Sequence, residues 1–291
     1  MRLSHLALAV LVCFAWGLNA VAAKVGVTYI PPVFFTALRF MVVLLCLFPW
    51  LKPVPGRYEV LIPAVFFMGG LHFALIFAGV KYSDASTMAI VNQIYVPISV
   101  LLAMFWLGET VPLRRWLGIA LAFTGVVVFS LNANATTHLT GIFLLVADAV
   151  SMAIGTVLMR RLTGVPPFVF QAWTAALGVP FLLLTSFVFE SGQIESLSSA
   201  PFQAWVALAY TVVGGSLIGH TGYYILLQHY EVSLVAGMLL IGPAIGVLSG
   251  VVILGEPFTP LIVAGAAMTL LGVAIVLKRS EIPTLKPAEG V

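Results

Sequence analysis

Residues 86–109 have the sequence STMAIVNQIYVPISVLLAMFWLGE, and residues 233–256 have the sequence SLVAGMLLIGPAIGVLSGVVILGE. Both stretches begin with serine, carry one proline near the middle and end in Leu-Gly-Glu. Each is almost free of charge over about 20 residues, the length that a helix needs to cross a bilayer. The pair therefore predicts two copies of one membrane-spanning unit.

The composition of the whole chain agrees with a membrane protein. Of its 291 residues, 62% are hydrophobic and 8% are charged, whereas about a quarter of a soluble domain is charged. The basic residues stand singly or in pairs between apolar runs, so the pI near 9.0 does not indicate a nucleic-acid partner. Cys13 and Cys46 lie inside apolar runs, which predicts no disulfide framework.

Ten apolar runs are separated by proline, glycine, asparagine or charge, and we expect each to form a helix in the bilayer. The predicted helices cover 5–23, 32–51, 58–79, 86–107, 112–131, 138–159, 167–189, 202–228, 233–254 and 259–277. The fold class predicted is therefore an all-α integral membrane protein of ten transmembrane helices. The first run also resembles a signal peptide ending at residues 20–23, but its removal would break the repeat, so we expect it to be retained.

Positive charge predicts the orientation, because cytoplasmic loops are enriched in Lys and Arg. With the N-terminus inside, only Lys24 and Lys81 fall outside. The residues that fall inside are Arg2, Lys52, Arg57, Arg114, Arg115, Arg160, Arg161, Lys278, Arg279 and Lys286. The sequence thus predicts a multi-pass protein of the inner (plasma) membrane with both termini in the cytoplasm.

The repeat divides the chain into residues 1–131, residues 138–278 and a cytoplasmic tail at 279–291. Each half holds five spans, and an odd number places the second half upside down relative to the first. Inverted repeats are typical of secondary transporters, which open a central site to either side of the membrane in turn. Duplication can also build a static scaffold, so this inference is by analogy between folds.

Short motifs along the chain are similar to those of the EamA-type members of the drug/metabolite transporter superfamily. The motifs are Trp16-Gly17-Leu18-Asn19, Lys24-Val25-Gly26, Pro31-Pro32, Leu38-Arg39-Phe40, Tyr223, His229-Tyr230-Glu231, Gly242-Pro243 and Leu254-Gly255-Glu256. Their order and spacing carry the resemblance over nearly the whole chain, as two EamA domains. The resemblance implies ten helices, a central cavity and metabolite export, and it is closest to exporters of cysteine and O-acetylserine.

Polar residues within spans are the candidate binding residues, because such groups are costly in lipid unless they face the bundle or a wet cavity. Trp16 and Asn19 share one face of the first helix. Arg39 lies eight residues into the second, roughly 12 Å deep, where it could bind a substrate carboxylate. The alternative, which we favour from the sequence alone, is that Arg39 pins helix packing through backbone carbonyls.

The fourth and ninth helices give the strongest indication of a site. Asn92, Tyr95 and Ser99 form one helical stripe, with Gln93 pointing away from it. Pro97 and Pro243 break their helices at nearly equivalent places, and paired interruptions indicate a binding site at the midplane. We expect these two prolines to act as hinges and the substrate to bind between these helices.

Buried titratable groups complete the set of candidates. Asp148 on the sixth helix could carry a proton or attract an amine, and His72 and His220 occupy nearly equivalent positions in the repeats. Tyr223 follows His220 by one turn. Each group has a structural alternative as a satisfied hydrogen-bonding residue. No ligand spacing indicates a metal, and no cofactor is predicted.

The remaining motifs favour structural roles. We expect Gly108 and Gly255 to end their helices, with Glu109 and Glu256 starting the next turn favourably, and the small residues of the fifth and tenth helices to allow close helix contact. The chain has no Walker motif, so it has no ATPase of its own. The alternative function is a membrane enzyme acting on a lipid or polyprenyl substrate, and a channel or receptor is weaker still. The predicted partners are a small-molecule substrate, the bilayer and a coupling proton, whereas the oligomeric state stays open.

Overall fold

A computed structural model describes residues 3–107, 112–131, 136–159, 161–162, 164–229, 235 and 238–277, and these ranges contain helices and no strand. The ten long helices are α1 Leu3–Tyr29, α2 Pro32–Leu47, α3 Tyr58–Lys81, α4 Ala85–Trp106, α5 Leu113–Ser130, α6 Thr136–Met159, α7 Pro167–Phe189, α8 at 202–229, α9 Ile241–Leu254 and α10 Pro260–Leu277. A short helix, Gln193–Ser199, joins α7 to α8 in a segment predicted to be a loop.

The predicted fold class is confirmed. Within the described residues, nine helices are long and apolar enough to cross a membrane, and α9 is a shorter apolar helix. The span predicted at 233–254 begins among residues that the structure does not describe, so only its second part is available for comparison. Side chains on the outside of the bundle, such as Leu45, Phe105 and Val252, are exposed and apolar, as lipid contact requires.

The first helix is longer than predicted and takes in Lys24. We expected this residue in an outer loop, but α1 continues to Tyr29. The Lys24 ammonium donates to the backbone carbonyl of Val80 over 3.0 Å and also to that of Ser83. The amine thereby satisfies carbonyl groups at the end of α3, which have no partner within their own helix.

Two helices contain π-helical segments that the sequence analysis did not predict. In α3 the segment is Phe66–Leu71, directly before His72, and in α8 it is Thr211–His220. Each segment includes a glycine pair, Gly69-Gly70 in α3 and Gly214-Gly215 in α8. The wider π turn leaves carbonyl groups free for side chains, and such segments occur frequently at functional sites.

The close packing of α5 against α10 confirms the role predicted for their small residues. A Cβ atom added to Gly118 would lie 2.8 Å from the Gly272 carbonyl oxygen, and one added to Gly125 would lie 2.8 Å from that of Gly265. Residues early in α5 therefore meet residues late in α10, so the two helices are antiparallel. Their backbones touch where larger side chains would separate them.

The role predicted for Glu256 is wrong. Gly255 does end α9 in a left-handed conformation (φ 68°), but α10 begins only at Pro260. The Glu256 carboxylate instead accepts the backbone N–H groups of Ala85 over 2.7 Å and Ser86 over 3.0 Å. Its charge thus caps the start of α4, because the first N–H groups of a helix have no partner within the helix.

Glu190 does the same at the start of α2. This residue follows α7 and accepts the backbone N–H groups of Val33 over 2.9 Å and Phe34 over 3.0 Å. The ends of α7 and α9 therefore lie at the same end of the bundle as the starts of α2 and α4, which the charge pattern predicts to be the outer end. Glu109, the counterpart of Glu256 in the first repeat, lies outside the described residues, as does the tail at 279–291.

Candidate functional site

A central cavity lies between helices of both repeats. It encloses about 1040 Å³ of space, including its open mouth, and its walls come from α1, α2, α3, α4, α6, α8 and α10, together with the start of α9. The walls are mainly apolar, with a small number of polar side chains that converge from different helices. This combination is typical of binding sites for small molecules.

Most of the residues that the sequence analysis singled out meet in this cavity. Those that line it are Trp16, Asn19, Arg39, His72, Asn92, Tyr95, His220, Tyr223 and Pro243. Asp148 lies behind the wall, where it is 0% exposed and bonds to two lining residues. Pro97 is not among the lining residues and lies one turn beyond the helical break in α4.

His72, Asp148 and Asn92 form one buried cluster. The Asp148 carboxyl group contacts the Nδ1 atom of His72 through one oxygen, and its other oxygen accepts the Asn92 amide over 2.7 Å. The cluster joins α3, α6 and α4. Ser151, one turn along α6, donates to the Phe67 carbonyl in the π segment of α3 over 2.7 Å.

The π segment of α8 gathers a second polar cluster at Gly215. The Gly215 carbonyl accepts the Trp16 indole N–H over 3.2 Å and contacts the Nδ1 atom of His220 over 2.7 Å. Because a carbonyl can only accept, Nδ1 is the protonated nitrogen of His220 in this contact. The Trp16 ring also lies 5.3 Å from the His220 and Tyr223 rings, measured between centroids.

Arg39 is fully buried in the wall of the cavity, at 0% exposure. Its Nε–H donates to the Ser216 hydroxyl over 3.0 Å, and its guanidinium lies 5.0 Å from the Phe73 ring and 5.6 Å from the Phe77 ring. Both Nη atoms are buried without a hydrogen-bond partner. The predicted contacts of Arg39 with backbone carbonyls are not found, because its bond goes to a hydroxyl and its two terminal nitrogens have no partner.

The surroundings of Arg39 do not compensate for burying its charge. A cation over an aromatic ring gains up to about 2 kcal/mol when desolvated, whereas removing an ion from water costs several kcal/mol even after relaxation. Within the described ranges, no carboxylate pairs with Arg39, and the buried Asp148 carboxylate contacts His72 instead. A buried guanidinium with unused N–H groups has the chemistry to bind an anion.

The stripe predicted on α4 differs from the structure in two positions. Gln93 lines the cavity with Asn92 and Tyr95, because a 3₁₀ turn at Asn92–Ile94 alters the order in which side chains face inward. Ser99 instead donates to the Val96 carbonyl over 2.7 Å and is absent from the wall. The regular helical spacing used in the sequence analysis does not apply across this turn.

Several residues of the site had no indication in the sequence pattern. Gln171 on α7 donates to the Ser216 carbonyl over 2.9 Å and accepts the Thr221 hydroxyl over 3.1 Å, so it fixes the π segment that holds Arg39. Phe73 and Phe77 cover the guanidinium. The run Gly214-Gly215-Ser216 in the middle of an apolar span is the one feature that could have identified this region. Among the described residues, no group of three potential metal ligands occurs.

Comparison with known proteins places the whole chain in one sequence family. The pattern of the EamA-like transporter family matches residues 3–131 and again residues 139–278. The chain is 31% identical to a protein of Salmonella typhimurium (strain LT2) named "Probable amino-acid metabolite efflux pump", with 92% of this chain and 93% of that protein covered. A protein of Escherichia coli (strain K12) with the same name is 29% identical over the same shares.

A solved structure, described only as "Crystal structure of protein", shares the fold. It is 21% identical in sequence and superposes with a TM-score of 0.64. The superposition covers 94% of this chain and 96% of that one. The arrangement of ten helices therefore also occurs in an experimentally determined protein.

Proposed function

Because the chain belongs to the EamA-like transporter family, we propose that it exports amino acids or amino-acid-like metabolites across the inner membrane by alternating access. The family and the names of the relatives point to a transporter of the drug/metabolite superfamily and not to an enzyme. The choice of cargo is our proposal, and it draws on the two relatives named as efflux pumps for amino-acid metabolites.

One observation carries the proposal, namely that polar groups from both repeats converge on a single cavity within an apolar bundle. Asn19 and Arg39 come from the first repeat and His220 and Tyr223 from the second. Polar groups at such depth are retained where they contact cargo, ions or each other. A site shared between two inverted halves can open to either side when one half moves against the other.

Proton movement is the energy source that fits these residues. The chain carries no nucleotide-binding motif, and His72 and Asp148 form a buried titratable pair beside the cavity. A pair that changes its protonation as the cavity opens to each side would link cargo export to proton entry. We further propose that both termini are cytoplasmic and that the protein has no resident cofactor.

Transport by purified protein in sealed proteoliposomes tests the proposal. Vesicles loaded with one unlabelled amino acid should take up the same labelled amino acid by exchange, across a panel that includes L-cysteine and O-acetyl-L-serine. A blocking variant, Ala89→Phe, places a ring in the cavity wall and should abolish exchange, whereas Leu184→Phe on the exposed face of α7 should not.

Two outcomes would contradict the proposal. Exchange absent for the entire panel, with correctly folded protein in the vesicles, would remove amino acids and their derivatives as cargo. Conversion of added lipid or polyprenyl substrate to a new product would favour the enzymatic alternative. In cells, overexpression should lower the intracellular content of the cargo and raise tolerance to its toxic analogues, and unchanged content would count against export.

A further inference from the structure

Arg39 on α2 and Asn19 on α1 meet at one point of the cavity wall, beside Gly215 on α8. We infer that these two side chains bind the zwitterionic head group shared by α-amino acids, with the carboxylate at Arg39 and the ammonium at Asn19. This inference rests on the proposed function and deepens it. The cargo would thus be recognised by a hydrogen-bond donor, Arg39, and an acceptor, Asn19, that have atoms without a hydrogen-bond partner in the protein.

The donor is the guanidinium of Arg39. Its side chain is 0% exposed, its Nη1 and Nη2 atoms have no hydrogen-bond partner, and Ser216 occupies its Nε–H. Two parallel N–H groups in a fixed plane match the two oxygens of a carboxylate. Because Ser216 accepts the Nε–H group, the Nη1 and Nη2 atoms are the donors that remain for a ligand.

The acceptor is the side-chain oxygen of Asn19, which is also buried without a partner. An amide oxygen can receive a hydrogen bond from an ammonium group but not from a carboxylate. An unused acceptor next to an unused cationic donor therefore fits a ligand that carries both charges. An α-amino acid carries them on a single carbon atom.

Gly215 shows how close the two groups are. A Cβ atom built on this glycine would collide with the Asn19 oxygen and would lie 2.9 Å from the Nη2 atom of Arg39. Both atoms thus lie against the Gly215 backbone, in the place that a side chain at residue 215 would take. The Gly215 carbonyl is already taken by Trp16 and His220, so it does not compete for the head group.

The rest of the cavity suits a variable side chain. Ile76, Met88 and Met152 line it, and methionine in particular adapts to ligands of different shape. Phe73 and Phe77 lie over the guanidinium, so a carboxylate that enters must replace a ring face as the neighbour of Arg39. The arrangement therefore predicts strict selection for the head group and loose selection for the side chain.

The test compares acids with their amides in the proteoliposome exchange assay. Each L-amino acid that the unaltered protein exchanges is offered in competition with its carboxamide and with its decarboxylated amine. We expect both analogues to compete on the order of 10- to 100-fold more weakly, as the loss of a charge-assisted hydrogen bond predicts. Arg39→Gln should weaken the acid and leave the amide unchanged, so that the discrimination disappears, whereas Arg39→Lys should retain part of it.

A second pair of variants separates binding from folding. Gly215→Ala should displace the Asn19 oxygen and the Arg39 Nη2 atom from their places against the backbone and so weaken every amino acid, whereas Gly214→Ala, whose new methyl would meet the Tyr210 side chain, is the matched control. If Arg39→Gln lowers thermal stability but keeps the preference for acids, Arg39 is a packing residue and the inference is wrong. Equal competition by acid and amide in the unaltered protein would also overturn the inference. So would an exchange rate that depends on chloride or phosphate bound at Arg39. Absence of all amino-acid exchange would instead refute the proposed function itself.

Discussion

Glu256 at the end of α9 accepts the backbone N–H of Ala85 at the start of α4 over 2.7 Å, which joins the second repeat to the first at the predicted outer end. The same carboxylate also accepts the N–H and the hydroxyl of Ser86. Lys24 ties α1 to the end of α3 at the same level. A protein that releases cargo outward by alternating access must break such contacts when its outer end opens. We therefore expect the Glu256 carboxylate to hold the two repeats together in the closed state of this end.

Replacing Glu256 by glutamine should therefore weaken the closure of this end. The loss of a charged cap costs about 1 kcal/mol. We expect a lower melting temperature and faster labelling from the outside of a cysteine introduced by Met88→Cys on α4, in a background where Cys13 and Cys46 are replaced by alanine. Glu195→Gln, an exposed carboxylate on the short helix after α7, is the matched control. Identical labelling of both variants would show that Glu256 only stabilises α4.

The buried contact between His72 and Asp148 leads to a second prediction, for proton coupling. Asp148→Asn keeps the shape of the side chain and its bond to Asn92 but removes the titratable group, and the same logic applies to replacing His72 or His220 by glutamine. We expect export driven by a pH gradient to fall while counterflow exchange persists, because exchange needs no net proton movement. Ser151→Ala, which removes a neighbouring bond on α6 without changing charge, is the control. Normal gradient-driven export in all three single variants would refute proton coupling through these groups.

The fold was predictable because its main determinant is the length and spacing of apolar runs. The bilayer requires each span to satisfy its own backbone, so about 20 apolar residues specify a helix with little help from tertiary contacts. The ends of the helices were less predictable. Lys24 is charged and was expected to follow the end of α1, but its ammonium finds carbonyl partners on α3, a tertiary contact that no local pattern encodes.

Membrane orientation is a third prediction. Reporters fused in the loops after α2, α4 and α6 should be cytoplasmic, and those after α5 and α7 should be periplasmic, because Lys and Arg are concentrated in the first group of loops. The structure is consistent with this alternation, since Glu190 and Glu256 bring alternate helix termini to one end. An external reading for a reporter beside Arg114 and Arg115 would overturn the whole topology.

The sequence allowed a prediction of which polar residues line the cavity, but not of the contacts between them. Polar residues inside spans are rare, so Trp16, Asn19 and His220 could be selected from their positions within apolar runs. The structure brings all three to one cavity. Their contacts depend on the π segments of α3 and α8 and on the 3₁₀ turn of α4. These irregular turns are stabilised by hydrogen bonds from other helices, such as that from Gln171 to the Ser216 carbonyl. Contacts of this kind do not produce a periodic pattern in the sequence.

The two prolines give the last prediction, and the structure defines their positions. Pro97 is the third residue of the helical segment that follows the 3₁₀ turn in α4, and Pro243 is the third residue of α9. A proline in the first turn of a helix loses no hydrogen bond of that turn, but it prevents the preceding residues from continuing as one regular helix. Pro97 therefore follows the break between two segments of α4, whereas Pro243 lies in the first turn of α9, after residues that the structure describes only in part.

Because the repeats are inverted, the two prolines should control opposite gates. Pro97→Ala should let α4 become regular through its 3₁₀ turn and should bias the protein toward one facing state, and Pro243→Ala should bias it toward the other. The measurement is the labelling of Ala89→Cys and Leu240→Cys from each side of the membrane, again without Cys13 and Cys46. Pro180→Ala controls for the general effect of removing a helix proline, since Pro180 lies within α7 and does not line the cavity. A shift of both variants in the same direction, or labelling that matches the Pro180→Ala control, would show that the prolines only shape packing, because independent hinges in inverted halves cannot open the same gate.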